Sequence, residues 1–314
     1  MAVETTRTIR DRIVAPLWNR TENRPRALWR AVGALVAGVA ATALGGVAAS
    51  AVDGPTVLGS LAAQGVAAAL VVALVVAWAR LVDRRPVAAY GLGLDRRWLG
   101  GAALGFAVGT LGWGGALATS LLAGWARVDG LFVAGAAFPF GVGIVLWSCN
   151  WLLVGVWEEL LFRGLLLRNA VEGLRGRRLS DRAAAVGGLL VTSVVFGGLH
   201  ADQAGSALAL GFWTGAGVVL GVAYLTTDSL AVPIGLHVAF DLAVNDVFGL
   251  SRVRPIGERL PTVVAPEFTG PDRLVEIAGW VNSVWLVVVG LGVVAATAWY
   301  EGGLRLRLSA YESW

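Results

Sequence analysis

The stretch that decides the fold reads WEELLFR, residues 157–163. Two adjacent carboxylates, Glu158 and Glu159, follow an uncharged run over residues 130–157, and apolar residues resume at 164–167. A charge at bilayer depth costs about 2.5–3.5 kcal/mol on insertion scales, so acids placed there indicate a functional site. The alternative is that the apolar run ends here and both acids are solvated. It is less favoured because the apolar pattern resumes at once.

Helical geometry separates the roles of the two carboxylates. At about 100° per residue, Glu159 and Arg163 lie one turn apart on one face, while Glu158 points elsewhere. We therefore predict a structural ion pair between Glu159 and Arg163. Glu158 has no local partner and lies in an apolar setting, which suits a general base, so we assign the chemistry to Glu158.

Composition places the chain in the membrane class. Hydrophobic residues make up 57% of its 314 residues, charged residues make up 15%, and the mean hydropathy is +0.71. A soluble domain carries about 25% charged residues. The net charge of +4 comes from arginine alone, and no nucleic-acid-binding motif accompanies it, so we expect no nucleic-acid partner. The single cysteine, Cys149, excludes a disulfide framework, and we expect it to be buried.

Eight apolar runs are long enough for a bilayer core, which needs about 20 residues per helix. The seventh run is interrupted in its middle by an acid, Asp241. The predicted fold class is therefore all-α: a polytopic integral membrane protein with about eight transmembrane helices. The runs are 31–52, 57–79, 98–126, 138 onward, 183–199, 207–227, 229–250 and 277–300.

The distribution of arginine predicts orientation and organisation. With the N-terminus taken as cytoplasmic, 20 of the 25 arginines fall in inside segments, so we expect both termini in the cytoplasm of a multi-pass cell-membrane protein. An Arg-rich tail over residues 1–30 precedes a single transmembrane domain over 31–300, with its motif core at 157–242. A long irregular outer loop spans 251–273, and a short tail covers 301–314.

The chain has two histidines: His200 directly follows the run 183–199, and His237 lies inside the run 229–250. His200 comes four residues after Phe196, and His237 comes four residues before Asp241, so each pair shares a helix face. Ionisable side chains inside the membrane are a default functional-site hypothesis. Glu158 and His200 each lie about 17 residues from the hairpin tip between them, or about 25 Å along a helix, so they can be level.

These motifs resemble a known family, the CPBP intramembrane peptidases, which include the eukaryotic type II CAAX prenyl endopeptidases and bacterial bacteriocin-processing proteins. The segment from Glu158 to Arg163 matches EExxxR, Phe196 with His200 matches FxxxH, and His237 with Asp241 matches HxxxN/D. One such motif would be weak evidence for the family. Three in the family's order, on separate helices, are specific.

The resemblance implies a glutamate-type endopeptidase that needs no metal or other cofactor. It implies that Glu158 and His200 activate a water and that His237 with Asp241 stabilises the oxyanion, while Glu159, Arg163 and Phe196 support them. The implied partners are a peptide or protein substrate, lipidated or membrane-embedded, and the membrane lipids. The eukaryotic enzymes carry Asn where Asp241 stands, and an ionised Asp cannot donate to an oxyanion. Either Asp241 is protonated, or it orients and charges His237, and we favour the second.

Three other classes remain as alternatives. A metal-dependent hydrolase would use Glu158, His200, His237 and Asp241 as zinc ligands, although no HExxH helix is present. A proton-coupled carrier would use the same groups as a relay and predicts inverted repeats, which we do not find. A membrane scaffold would keep these residues without turnover.

Overall fold

The computed structural model describes residues 15–53, 56–175, 179–201, 206–251 and 259–307. The first fourteen residues of the predicted tail, residues 176–178 at the hairpin tip and residues 252–258 of the predicted outer loop lie outside them. The helices are α1 Ala27–Ser50, α2 Thr56–Ala77, α3 Arg96–Leu122, α4 Phe140–Glu159, α5 Arg168–Arg175, α6 Asp181–Leu199, α7 Ala207–Thr227, α8 Ala231–Leu242, α9 Asp272–Val275 and α10 Trp280–Glu301. The strands are β1 Trp18–Asn19, β2 Arg24–Pro25, β3 Ala126–Val133 and β4 Thr262–Phe268.

The all-helical membrane architecture is confirmed. Within the described residues, seven helical stretches are long and apolar enough to cross a membrane, including one from Phe140 to Arg175 that joins α4 to α5. The eighth predicted crossing is α8 with its π-helical extension Ala243–Val247, and it is shorter than the others. Cys149 on α4 is exposed at the protein surface, so the expectation of a buried cysteine is wrong.

Helix starts carry the side-chain caps that the sequence offers. Asp95 accepts a hydrogen bond from the backbone of Trp98 at the start of α3, and Ser180 and Ser206 cap α6 and α7 in the same way. Such caps satisfy backbone N–H groups that have no partner inside the helix. They fix the starts of α6, which His200 directly follows, and of α7, which packs on α6.

Small residues bring α3 against α8, the helix that carries His237. The α3 glycines at 101, 105 and 109 face α8, and a Cβ on Gly105 would lie 2.2 Å from the backbone oxygen of Val232. In the reverse direction, a Cβ on Gly235 would lie 1.9 Å from the backbone oxygen of Ala102. Helix backbones can approach this closely only when no side chain separates them.

We expect Gly235→Ala to destabilise the fold, because its methyl group would meet backbone that cannot rotate away. Overpacking of this kind costs about 1–3 kcal/mol. The matched control is Gly211→Ala on α7, where an added Cβ meets nothing within 4 Å. Thermal unfolding in detergent should show a lower Tm for Gly235→Ala and an equal or higher Tm for the control. Equal Tm values for the two variants would contradict the close contact.

The segment that we predicted as an irregular outer loop contains regular structure. β3 and β4 form an antiparallel two-stranded sheet, with Ala126 opposite Phe268 and Val133 opposite Thr262. The prediction of irregular structure across 251–273 is therefore wrong for its second half. The prolines that suggested it are accommodated because the sheet has only two strands: Pro266 stands within β4, opposite Val128, where a bulge interrupts the pairing.

The first helix begins at Ala27, four residues before the apolar run that starts at residue 31. It therefore includes Arg30, which we had assigned to the N-terminal tail, and buries its charge. Arg30 is 1% exposed and pairs with Asp83 and Glu172, and Arg85 joins the same Glu172 at 2.6 Å. The Tyr90 hydroxyl donates to Asp83 at 2.5 Å, and burial together with the Asp83 carboxylate raises the Tyr90 pKa. This cluster ties the start of α1 to α5.

Candidate active site

A cavity of about 530 Å³ lies between the helices, and all four candidate catalytic side chains line it. Glu158 comes from α4, His200 from the end of α6, and His237 and Asp241 from α8. Residues separated by up to 83 positions along the chain therefore meet at one concave site. Ligand sites of proteins are typically cavities of this size, with a few polar groups among apolar walls.

Both helices with candidate catalytic acids continue as π-helix directly after them. α4 ends at Glu159 and passes into a π segment, Leu160–Leu167, and α8 passes into Ala243–Val247. A π turn is wider than an α turn, is rare, and occurs frequently at functional sites. All residues of Leu160–Leu167 are buried, so this wider stretch is held by packing on every side.

Glu159 is the centre of the buried polar contacts. Its Oε1 atom accepts from Arg163 Nη1 at 2.9 Å, the ion pair that helical spacing predicts, and from His237 Nδ1 at 2.7 Å. Arg163 also donates through Nη2 to the backbone oxygen of Gly217 at 3.1 Å. Glu159 is 0% exposed. It therefore joins α4 to α8 by a hydrogen bond that the sequence analysis missed, since nothing in the motif spacing pairs residues 159 and 237.

His237 presents its other nitrogen to the cavity. Since a carboxylate only accepts, Nδ1 carries the proton that it donates to Glu159. Nε2 lies 3.9 Å from Glu158 Oε2 and 3.7 Å from Asp241 Oδ2. These distances exceed direct hydrogen bonds. Both carboxylate oxygens are buried and have no hydrogen-bond partner among the described residues. Glu158, His237 and Asp241 therefore bring polar groups to one part of the cavity.

His200 is oriented from two sides. Its Nδ1 lies 2.8 Å from the backbone oxygen of Phe196, which can only accept, so Nδ1 carries the hydrogen. In the neutral ring Nε2 is then an acceptor. The indole of Trp213 stacks on the imidazole with centroids 4.8 Å apart and planes 21° apart. Trp213 lies on α7, belongs to none of the motifs and was not predicted from the sequence.

Phe196 connects the three motifs through its ring. It packs edge-on against Phe162 with centroids 5.0 Å apart, and the Arg163 guanidinium lies 4.8 Å from its centroid. On its other side, the centroid of its ring lies 4.6 Å from that of His200 and 6.3 Å from that of His237. Phe196 thus packs between the first motif and both histidines, which is consistent with a supporting role.

The four candidate side chains are not arranged as a set of metal ligands. Across the described parts of the chain, no three His, Cys, Asp or Glu side chains are placed to hold one ion together. Zinc ligands lie about 2.0–2.2 Å from the metal when they are nitrogen or oxygen. His200 directs its Nδ1 to the backbone of its own helix.

The fold and cavity define a multi-pass membrane protein with an internal polar site. Residues 139–243 match the family model described as type II CAAX prenyl endopeptidase Rce1-like. The chain therefore carries an Rce1-like domain of the CPBP family, and this domain contains all three motifs. The family supports a membrane endopeptidase, a peptide hydrolase acting on a membrane-associated peptide or protein. No curated protein and no solved structure matches the chain.

Proposed function

We propose that the chain is a glutamate-type intramembrane endopeptidase in which Glu158 and His200 activate a water. The observation that carries the proposal is the convergence of Glu158, His200, His237 and Asp241 on one cavity, with two buried carboxylate oxygens unpaired. An unpaired buried carboxylate is costly unless a ligand or water meets it. At this position, the group it meets is the reacting water.

The proton path follows from the orientation of the side chains. Glu158 takes a proton from the water while the water oxygen forms a bond to the carbonyl carbon of the peptide. His200 accepts a hydrogen bond from the water through Nε2, because its Nδ1 is committed to the Phe196 backbone. The carbon–nitrogen bond then breaks, and the proton held by Glu158 passes to the leaving amine.

His237 stabilises the oxyanion in this proposal. Nδ1 keeps its proton and donates a hydrogen bond to Glu159, so the ring can donate to an oxyanion only through a protonated Nε2, as an imidazolium. Glu158, Glu159 and Asp241 all lie close to this ring, and their negative charges stabilise a positive charge on it. Asp241 then orients His237 and stabilises its protonated form rather than donating a hydrogen bond itself. A preorganised cationic donor suits a developing oxyanion.

The substrate enters from the membrane in this proposal. The apolar side of the cavity is formed by Trp113, Trp213 and Phe240, and it suits apolar side chains or a lipid attached to the peptide. We place the protein in the cell membrane with both termini in the cytoplasm, because most arginines then lie inside. The single transmembrane domain over residues 31–300 carries the whole activity.

The test is cleavage of a peptide library by purified protein in detergent, with and without a strong chelator. We expect cleavage that the chelator leaves unchanged. Loss of cleavage with chelator and its return with Zn²⁺ would establish the metal-dependent alternative. The library includes prenylated and unmodified peptides and is presented in liposomes as well as in detergent, so that each substrate class is tested. Absence of cleavage under all these conditions would overturn the proposal in favour of a carrier or scaffold.

A further inference from the structure

One wall of the cavity is polar and belongs to none of the three motifs. It contains Ser60 and Gln64 from α2 and Asn150 from α4. Polar side chains inside membrane helices cost free energy and commonly bind neighbouring helices together. Gln64 and Asn150 do make such hydrogen bonds between α2 and α4, but these bonds use only the oxygen end of each carboxamide.

The orientation of the Gln64 carboxamide is fixed by its partner. Gln64 Oε1 accepts from the indole nitrogen of Trp157 at 2.9 Å, and an indole N–H can only donate. The amino end of Gln64 must therefore be Nε2, which carries two hydrogens. Among the described residues, no acceptor lies in hydrogen-bond contact with it. Since Trp157 directly precedes Glu158, this donor stands near the level of the proposed base.

Asn150 makes a similar contact about two turns earlier on α4. The hydroxyl of Ser60 donates to Asn150 Oδ1 at 2.8 Å, and Asn150 is 1% exposed. Its Nδ2 has no hydrogen-bond acceptor within the part of the chain that the structure describes. Ser60 and Gln64 are one turn apart on α2, and their partners on α4 follow in the same order. Two carboxamide donors therefore stand in a row along the cavity wall.

The spacing of the row fits an extended peptide. Asn150 and Glu158 are eight positions apart on α4, or about 12 Å along its axis. An extended chain rises about 3.3 Å per residue, so this distance covers three to four residues of substrate. We propose that Gln64 and Asn150 are positioning residues that bind backbone carbonyl oxygens of the substrate. Gln64 binds beside the scissile bond, and Asn150 binds three to four residues away. This inference rests on the proposed peptidase function and deepens it.

The kinetic test compares peptides of increasing length that share one cleavage site. We expect Asn150→Leu to raise KM about five- to tenfold, with kcat little changed, for peptides that extend four residues from the scissile bond toward Asn150. Shorter peptides should be unaffected. Gln64→Leu should raise KM for peptides of every length. A five- to tenfold change is about what the net contribution of one hydrogen bond produces. Ser148→Ala is the matched control on α4, because the Ser148 hydroxyl bonds only to the backbone of Ile144 in its own helix.

A binding measurement separates this inference from the peptidase function. Fluorescent peptides of the same length series are titrated onto protein carrying Glu158→Gln, with and without Asn150→Leu. Length-dependent binding that Asn150→Leu weakens would support the inference even if no cleavage were found in any assay. Helix packing alone predicts a lower Tm for Asn150→Leu with the same affinity for long and short peptides, and that result would overturn it.

Ester-substituted peptides provide a test on protein unaltered in the polar wall, in case the Leu variants fail to fold. Each amide of the longest peptide is replaced in turn by an ester, whose carbonyl is a weaker acceptor. We expect the affinity to fall most at one position beside the scissile bond and at one position three to four residues from it. An equal loss at every position, or binding with no dependence on peptide length, would contradict the proposed donor row.

Discussion

Glu158→Gln is expected to lower kcat for peptide cleavage about a thousandfold while leaving the protein folded. Glutamine keeps the volume of glutamate and its position in the cavity, but its amide cannot take a proton from water. General-base catalysis contributes about 10²–10⁴ to a rate, so this single change removes most of the chemistry. The measurement is kcat and KM on a cleaved library peptide, together with the Tm in detergent.

The matched control for this prediction is the neighbouring carboxylate. Glu159→Gln keeps the size of the side chain but removes the charge that Arg163 and His237 share. We expect this variant to lose stability as well as activity, because its buried partners lose their counter-charge. The decisive comparison is the Tm: unchanged for Glu158→Gln and lowered for Glu159→Gln. If both variants lose activity at an unchanged Tm, the two adjacent carboxylates do not have separate roles.

Local patterns in the sequence predicted the helices and the arrangement of the motifs. Charged residues are excluded from a bilayer core, so uncharged runs mark helices directly, and the 3.6-residue period pairs Glu159 with Arg163. The two histidines stood out because ionisable groups are rare in such runs. These inferences need only neighbours along one helix, and one sequence contains that information.

Contacts between distant elements could not be predicted in this way. The bond from Glu159 to His237 joins α4 to α8, and the stacking of Trp213 on His200 joins α7 to α6. Arg30 seemed a tail charge because its acidic partners lie more than 50 positions away. Gln64 and Asn150 were detectable as single polar residues within apolar runs, but the cavity that joins them required the fold.

The second large effect concerns stability rather than turnover. Arg163→Met is expected to lower the free energy of unfolding by about 3–5 kcal/mol, because it breaks the buried ion pair with Glu159 and leaves that carboxylate to its hydrogen bond with His237. Arg163 is 3% exposed and Glu159 is 0% exposed, so water cannot replace the lost partner. The measurement is unfolding in mixed detergent micelles with increasing denaturing detergent, followed by circular dichroism.

An exposed pair of the same chemistry gives the control. Arg127 and Glu267 bond at 2.7 Å across the two-stranded sheet, with side chains 69% and 47% exposed. Arg127→Met should lower the free energy of unfolding far less than Arg163→Met does, because solvent screens exposed ion pairs. A second variant tests the contribution of the charge: Glu159→Gln combined with Arg163→Met should be more stable than Arg163→Met alone, since the side chain that lost its arginine partner is then neutral. If the double variant is less stable than Arg163→Met, packing or the His237 contact dominates, and the ion pair is not what holds α4 in place.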